Sequence, residues 1–170
     1  EMEVLCFYYF DHELKDVNAG KYGLFNFFDL PFEPQIDRTF KTRSGAEINI
    51  FKLYKICGTC IAKDKTKCTV SLLTNDGVVN VKFRKEYFSL FDKQISIKQP
   101  DGTKKIVEKS WFNRGNMIVV QGFRNEDTFI TKKYSSTAGH QLYRIEQILN
   151  NGDLVLRNQR YQGGIEEDEI

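Results

Sequence analysis

The sequence predicts a mainly β protein built on a five-stranded Greek-key barrel, with one short helix after the third strand, an N-terminal helix and extra β-hairpins. Three observations predict it. Short β-rich runs separated by turn residues fill the chain from Phe51 onward. A single helical stripe interrupts them, directly after the third run. Hydrophobic residues make up 41% of the 170 residues and aromatic residues 14%, enough apolar material for one packed core with a small extra lobe.

The opening EMEVLCFYYFDHELKDV sets Val4, Leu5, Phe7 and Tyr8 near one side at helical spacing. Glu1 and Glu3 fall in the first turn, where the helix dipole favours anions. A helix is expected there, stopping in the turn material around Asn18 to Gly20. LFNFFDLPFEP follows, aromatic but punctuated by Pro31 and Pro34, which permit neither a long helix nor a central strand. Residues 1–50 therefore read as an N-terminal helix and an aromatic connector that packs onto something else.

FKLYKICGTCIA is the first strand of the barrel domain, expected over residues 51–162, and the charged loop KDKTK ends it. CTVSLLT is the second, and the Asn-Asp-Gly after it is a strong hairpin signal. VVNVKF is the third, with Val79, Val81 and Phe83 on one face and Val78, Asn80 and Lys82 on the other. The period then switches, and RKEYFSLFDKQI puts Tyr87, Leu90, Phe91 and Gln94 on a helical stripe. An inserted hairpin is expected over residues 95–110, turning at Pro100-Asp101-Gly102. NMIVVQGFR is the fourth core strand, introduced by the turn Asn-Arg-Gly-Asn, and a long loop with a strand piece follows it. QLYRIEQIL and DLVLRNQ make a last hairpin around Asn150-Asn151-Gly152, and residues 163–170 an acidic tail. Three strands, a helix and two strands in this order is the chain logic of the OB-fold, whose strands 2 and 3 and adjacent loops bind oligonucleotides.

The formal net charge of +2 hides an asymmetry. Residues 1–50 carry five basic against nine acidic side chains, residues 51–165 twenty against ten, and residues 166–170 none against four. A basic module between acidic ends implies a polyanionic partner. No stretch approaches the roughly 20 apolar residues of a membrane helix, and the first residues lack the features of a signal peptide. The expectation is a soluble, cytoplasmic chain without a membrane partner; its start on Glu1 and its acidic end suggest a segment of something longer.

Cys57-Gly58-Thr59-Cys60 forms a C-x-x-C. Zinc knuckles need four ligands, and here the remaining cysteines, Cys6 and Cys68, and the two histidines, His12 and His140, stand apart. Residues three apart in a strand point to opposite faces, so the pair cannot chelate or form a disulfide without a local break, which a bulge at Gly58 would supply. A redox pair would open a helix, and IAKDKTK follows instead. Structural cysteines, with no metal and no cofactor, are the expectation. Paired acids such as Glu126-Asp127 sit in polar loops, and no nucleophile elbow or phosphate-binding glycine loop occurs. No catalytic residue is assigned.

Two stretches resemble a known family, the C-family replicative polymerases typified by the bacterial DNA polymerase III alpha subunit. EMEVLCFYYFDHEL resembles the segment before that family's OB domain, through Glu1, Glu3, Leu5, Phe7, Tyr8, His12 and Leu14. Cys6 and Glu13 depart from its usual glycine and proline. ICGTCIAKDKTKCTVSLLTNDGVVNVKFRKEYFSLFDKQI and NMIVVQGF are similar to its OB domain, with Gly58 as the strand-1 glycine. Residues 21–50, the ribbon around Pro100 and the final hairpin depart from the pattern, as in a divergent alpha subunit. The resemblance implies a DNA-binding, non-catalytic piece of a nucleotidyltransferase of DNA replication that holds single-stranded template. Its implied partners are single-stranded DNA, the rest of the polymerase and other replisome proteins.

Single strands are held by a positive groove with aromatic platforms for bases. The expected groove lies over the second and third strands, where Thr69, Ser71, Asn80 and Lys82 point outward if Val70, Leu72, Val79 and Val81 point inward. Lys63, Lys65 and Lys67 stand at its rim to neutralise phosphates. Arg124, Lys132 and Lys133 are expected to clamp the strand from the other side, with Phe129 and Tyr134 as stacking residues, whereas Phe83, Tyr87, Phe91, Trp111 and Phe112 read as core. Two rival classes remain, a docking module using Leu24 to Phe32 and an enzyme using the C-x-x-C, and an anticodon-type, RNA-binding OB domain is a further alternative. An enzyme built on the C-x-x-C would require bound zinc or a reactive thiol.

Overall fold

The computed structural model describes residues 19–134, 140–161 and 165–166. The helix expected at the start of the chain, with Cys6 and His12, lies outside the described residues, as does most of the acidic tail. One helical turn, α1 (Ala19–Tyr22), and a 3-10 turn at Phe27–Asp29 begin the described chain. Asn26 caps the latter by accepting from the Phe28 N–H.

Part of the expected connector is instead a β-hairpin. Strands β1 (Ile36–Lys41) and β2 (Glu47–Phe51) pair antiparallel, with Phe40 opposite Ile48 and Arg38 opposite Ile50 on one face. Thr39 opposite Asn49 and Lys41 opposite Glu47 make the other. Gly45, at φ +84, provides the left-handed turn residue. Residues 36–50 alternate as a hairpin does, and Pro31 and Pro34 just upstream are what give them the look of a connector.

The barrel is formed by β3 (Tyr54–Asp64), β4 (Thr69–Thr74), β5 (Gly77–Lys82), β8 (Met117–Asn125) and β9 (Thr128–Thr131). β3 pairs with β8 through Tyr54–Thr59 and with β4 through Thr59–Asp64, so one long strand serves both halves. β4 and β5 form the predicted hairpin. β5 then runs parallel to β9, and β9 turns back antiparallel onto β8, which closes the ring. Five strands closed in this way, third against fifth in parallel, are compatible with an OB-like fold.

Two glycines sit where strands cross most closely. A Cβ on Gly122 would lie 1.9 Å from the Ile130 carbonyl oxygen, and one on Gly58 2.9 Å from the Leu72 Cβ. Neither place has room for a side chain.

The expected helix, α2 (Lys85–Asp92), and the loop around Trp111 close one end of the barrel. Phe88 stacks on Phe112 at 5.1 Å and Phe91 meets Trp111 at 4.7 Å. The buried stripe of α2 runs through Phe88 and Phe91, with Tyr87 partly buried. Leu90, expected on that stripe, is exposed, because Phe83 and Phe112 draw the Phe88 side inward. At the other end of β5, Phe27 and Leu30 of the connector enter the core, beside the β4–β5 and β8–β9 turns. Phe27 meets Phe129 edge-on at 6.4 Å, and the Glu126 N–H donates to the Phe32 carbonyl.

The inserted ribbon is β6 (Ile95–Lys98) with β7 (Lys104–Glu108), and a short strand, β12 (Ile165–Glu166), adds to β6. Part of the expected tail is thus sheet. The last hairpin, β10 (Leu142–Ile148) with β11 (Leu154–Arg157), extends the barrel sheet from β8 over a second cluster of Val119, Ile145 and Leu154. Buried Glu108 holds these outer pieces together. It accepts from Arg157 at 2.5 Å, from Arg160 at 2.9 Å, from the Tyr161 N–H at 3.0 Å and from the Trp111 indole. Burial pushes its carboxyl pKa up, and these donors more than reverse that, leaving it below its ordinary value.

Candidate nucleic-acid interface

The β4–β5 hairpin presents two faces. Val70, Leu72, Val79 and Val81 are fully buried inside the barrel, as the alternation requires. Thr69 opposite Lys82 and Ser71 opposite Asn80 therefore lie on the outer face, and the Ser71 hydroxyl donates to the Asn80 side-chain oxygen at 2.9 Å. Leu73 and exposed Val78 continue that face toward the turn. The parallel pairing with β9 adds Thr128 and Ile130, in register with Asn80 and Lys82. A pairing across nearly fifty residues leaves no mark on local periodicity, so these two were not identified from the sequence.

The lysine loop divides. The register between β3 and β4 shifts between Cys60 and Ala62, which puts Lys63 opposite inward-facing Val70 and Ala62 opposite outward-facing Ser71. Lys63 consequently turns toward the α2 end of the barrel. Its Nζ donates to Asp92 Oδ1 at 2.5 Å and to Ser110 Oγ at 3.5 Å. Lys65 stands 3.9 Å from the other Asp92 oxygen. Lys67 lies exposed in the turn, its N–H capped by Asp64.

The opposite rim differs more from expectation. Phe129 is fully buried and packs on Phe27, so it has no face to offer a base. Arg124 does not clamp outward. Its guanidinium lies 4.4 Å from the Phe27 ring centre and 5.2 Å from that of Phe32, and donates to the carbonyls of Phe27, Leu30 and Glu126. It ties the connector to the barrel. Lys132 lies over the Tyr134 ring at 5.4 Å, and the Tyr134 hydroxyl accepts from the Phe51 N–H. Lys133 is exposed. The outer face that emerges joins Lys67, Thr69, Ser71, Asn80 and Lys82 to Thr128 and Ile130, with Lys132, Lys133 and Tyr134 just beyond β9.

The C-x-x-C cysteines occupy opposite faces. Cys60 is wholly buried in the barrel core and Cys57 packs on the second cluster. The phase shift comes after Cys60 rather than at Gly58, so it does not turn the two thiols together. Burial pushes Cys57 up to about 11 and Cys60 up to about 12, keeping both as thiols. Among the described residues, no three His, Cys, Asp or Glu side chains gather as a metal site.

Over 161 residues the chain is 39% identical to a protein of Bacillus subtilis (strain 168) named "Probable DNA polymerase YorL". The same identity over the same span relates it to the "DNA-directed DNA polymerase" of Bacillus phage SPbeta. The match takes in 94% of this chain but only 12% of each relative, so the chain spans about an eighth of their length. No family model and no solved structure matches it. Among the described residues, no helix is long and apolar enough to cross a membrane.

Proposed function

We propose that this chain is a single-strand-binding, OB-type domain of a DNA polymerase, holding template on the outer face of β4, β5 and β9 while catalysis resides elsewhere in the parent chain. The observation that carries the reading is the exposed polar ladder Thr69–Lys82 and Ser71–Asn80 with lysines at both margins, on a barrel whose relatives are named DNA polymerases. Asn80 and Ser71 offer hydrogen bonds, Val78 and Ile130 offer apolar contact to bases, and Lys67, Lys82, Lys132 and Lys133 neutralise phosphates. The resemblance to the C-family alpha subunit agrees with this role, and a replisome setting follows from it.

Fluorescence anisotropy with a labelled single strand of about 20 nucleotides, against a matched duplex and an RNA strand of the same sequence, tests the proposal. Four phosphate contacts at about −0.7 each predict a log affinity that falls with log salt at a slope near −3. Lys67→Ala with Lys82→Ala should flatten it by about 1.4. Equal affinity for the duplex, or a slope untouched by that pair, refutes the assignment of this face; preference for RNA redirects it to an anticodon-type role. Absence of binding at low salt favours docking to other parts of the polymerase. Exposed Phe25, Phe28, Phe32 and Phe40 recommend that second reading.

A further inference from the structure

Two exposed apolar side chains share one cleft away from the β4–β5 face. Leu90, on α2, keeps 46% of its exposure and Tyr161, after β11, keeps 42%. Both line a cavity of about 410 Å³ between α2 and the segment that follows β11, to which Ile95 and His140 also contribute. Its walls are fixed by buried polar groups. The Arg160 side chain is only 7% exposed and donates from all three of its nitrogens: Nε to Glu108 at 2.9 Å, Nη1 to the Leu90 carbonyl at 3.0 Å and Nη2 to the Lys109 carbonyl at 3.1 Å. The Tyr161 N–H donates to the same Glu108 carboxylate. On the helix side, the Tyr87 ring is held between Phe83 at 6.3 Å and Phe91 at 4.8 Å. Two lining side chains are not engaged in this way. Among the described residues, neither the Tyr161 ring nor the half-buried Asn158 amide has a partner.

A fixed slot with apolar walls, one free aromatic ring and one unpaired amide suits a flat ligand with a polar edge. A nucleobase is such a ligand: its faces stack on aromatic side chains, and an asparagine amide both donates and accepts along its edge. An apolar side chain of a protein partner would cover Asn158 without pairing it, which desolvation of the amide opposes. We infer that this cleft is a nucleobase-binding subsite, with Tyr161 as its stacking residue and Asn158 as its edge contact. The inference rests on the single-strand reading for the source of the base, and on none of the residues of the β4–β5–β9 face.

The test uses the full 170-residue chain and compares the labelled 20-nucleotide strand with an abasic strand of the same length. Tyr161→Ala should weaken binding of the base-bearing strand by about 5- to 100-fold, the range for loss of one stacking platform. Its salt slope should not change, because the lost ring is neutral, and its affinity for the abasic strand should match the parent's. Tyr161→Phe should bind as the parent does, and Asn158→Ala should lose about 2- to 10-fold. Melting temperatures should stay at the parent value, since neither side chain has a partner to lose. Unchanged affinity of Tyr161→Ala for the base-bearing strand, or an equal fall for the abasic one, overturns the cleft and leaves the outer face standing. If the parent binds no strand, the template reading fails, and the four free deoxynucleosides at millimolar concentration decide the cleft alone. Nucleoside resonances broadened by the parent and not by Tyr161→Ala retain it as a nucleobase site, and equal spectra with both proteins remove it.

Discussion

Lys63 separates what a lysine-rich loop suggests from what its register imposes. As a rim lysine, its loss would weaken DNA binding and leave stability alone; as the inward partner of Asp92, its loss should do the reverse. A unit charge pair at 2.5 Å interacts by about 6–7 kcal/mol at an effective dielectric of 20. The Lys63 side chain keeps 26% of its exposure, so desolvation and water screening take back more than half of that. Lys65 and Ser110 remain beside Asp92 and soften the loss further. Lys63→Ala is therefore expected to cost about 2–3 kcal/mol, a fall in melting temperature of roughly 5–10 °C for a chain of this size. Adding Asp92→Asn should recover part of it, because the uncompensated carboxylate is then gone. Thermal unfolding by circular dichroism reads the stability, and anisotropy at several salt concentrations reads the binding. A Lys63→Ala protein that melts like the parent while its salt slope flattens would refute the reasoning, and Lys63 would belong to the phosphate-binding rim.

Phe129→Ala should cost about 3–5 kcal/mol in urea unfolding through the cavity it leaves, and strand affinity measured well below the melting temperature should change little. Gly122→Ala forces a Cβ against the Ile130 carbonyl and is expected to exceed 4 kcal/mol, whereas Gly58→Ala, meeting the Leu72 Cβ, should cost about 1–3 kcal/mol; denaturation midpoints order the two. Glu108 titrates below its ordinary value in the folded chain, so its stabilisation is complete above the unfolded value of 4.5 and is lost as pH falls through the folded one. Melting curves between about pH 3 and 6 should accordingly fall less steeply for Glu108→Gln, from a lower starting stability. In mass-mapped alkylation near pH 8, Cys68 should react well before Cys57 and Cys60, whose burial keeps them protonated.

What could be read in advance was local. Alternation in VVNVKF placed Val79 and Val81 inside and Asn80 and Lys82 outside, and the Asn-Asp-Gly and Asn-Asn-Gly turns announced their hairpins. The helix was found but rotated, because its sequence offers Phe88 and Leu90 as equally apolar and only Phe83 and Phe112 choose between them. Lys63 was assigned to the wrong side by one inserted residue, since a bulge inverts every side chain after it. The burial of Phe129 and the grip of Arg124 on Phe27 depend on the connector entering the barrel's end, a contact made across about a hundred residues. The candidate face was legible wherever two adjacent strands define it and hidden wherever a distant segment covers or completes it.

The pairing of β5 with β9 also bears on how the chain comes to be folded. The meander β3–β4–β5 is contiguous and can form early, but its free edge finds no partner until Thr131 has been made, 49 residues after Lys82. At roughly 5–20 residues per second, a ribosome leaves that edge open for about 2–10 seconds. Through that interval β5 is an unpaired strand of alternating valines, the kind of template onto which other chains add. Lys82 and Asn80 put charge and amide polarity on its outer side, the kind of feature that discourages a neighbouring chain from adding to an open strand before β9 arrives to close the ring.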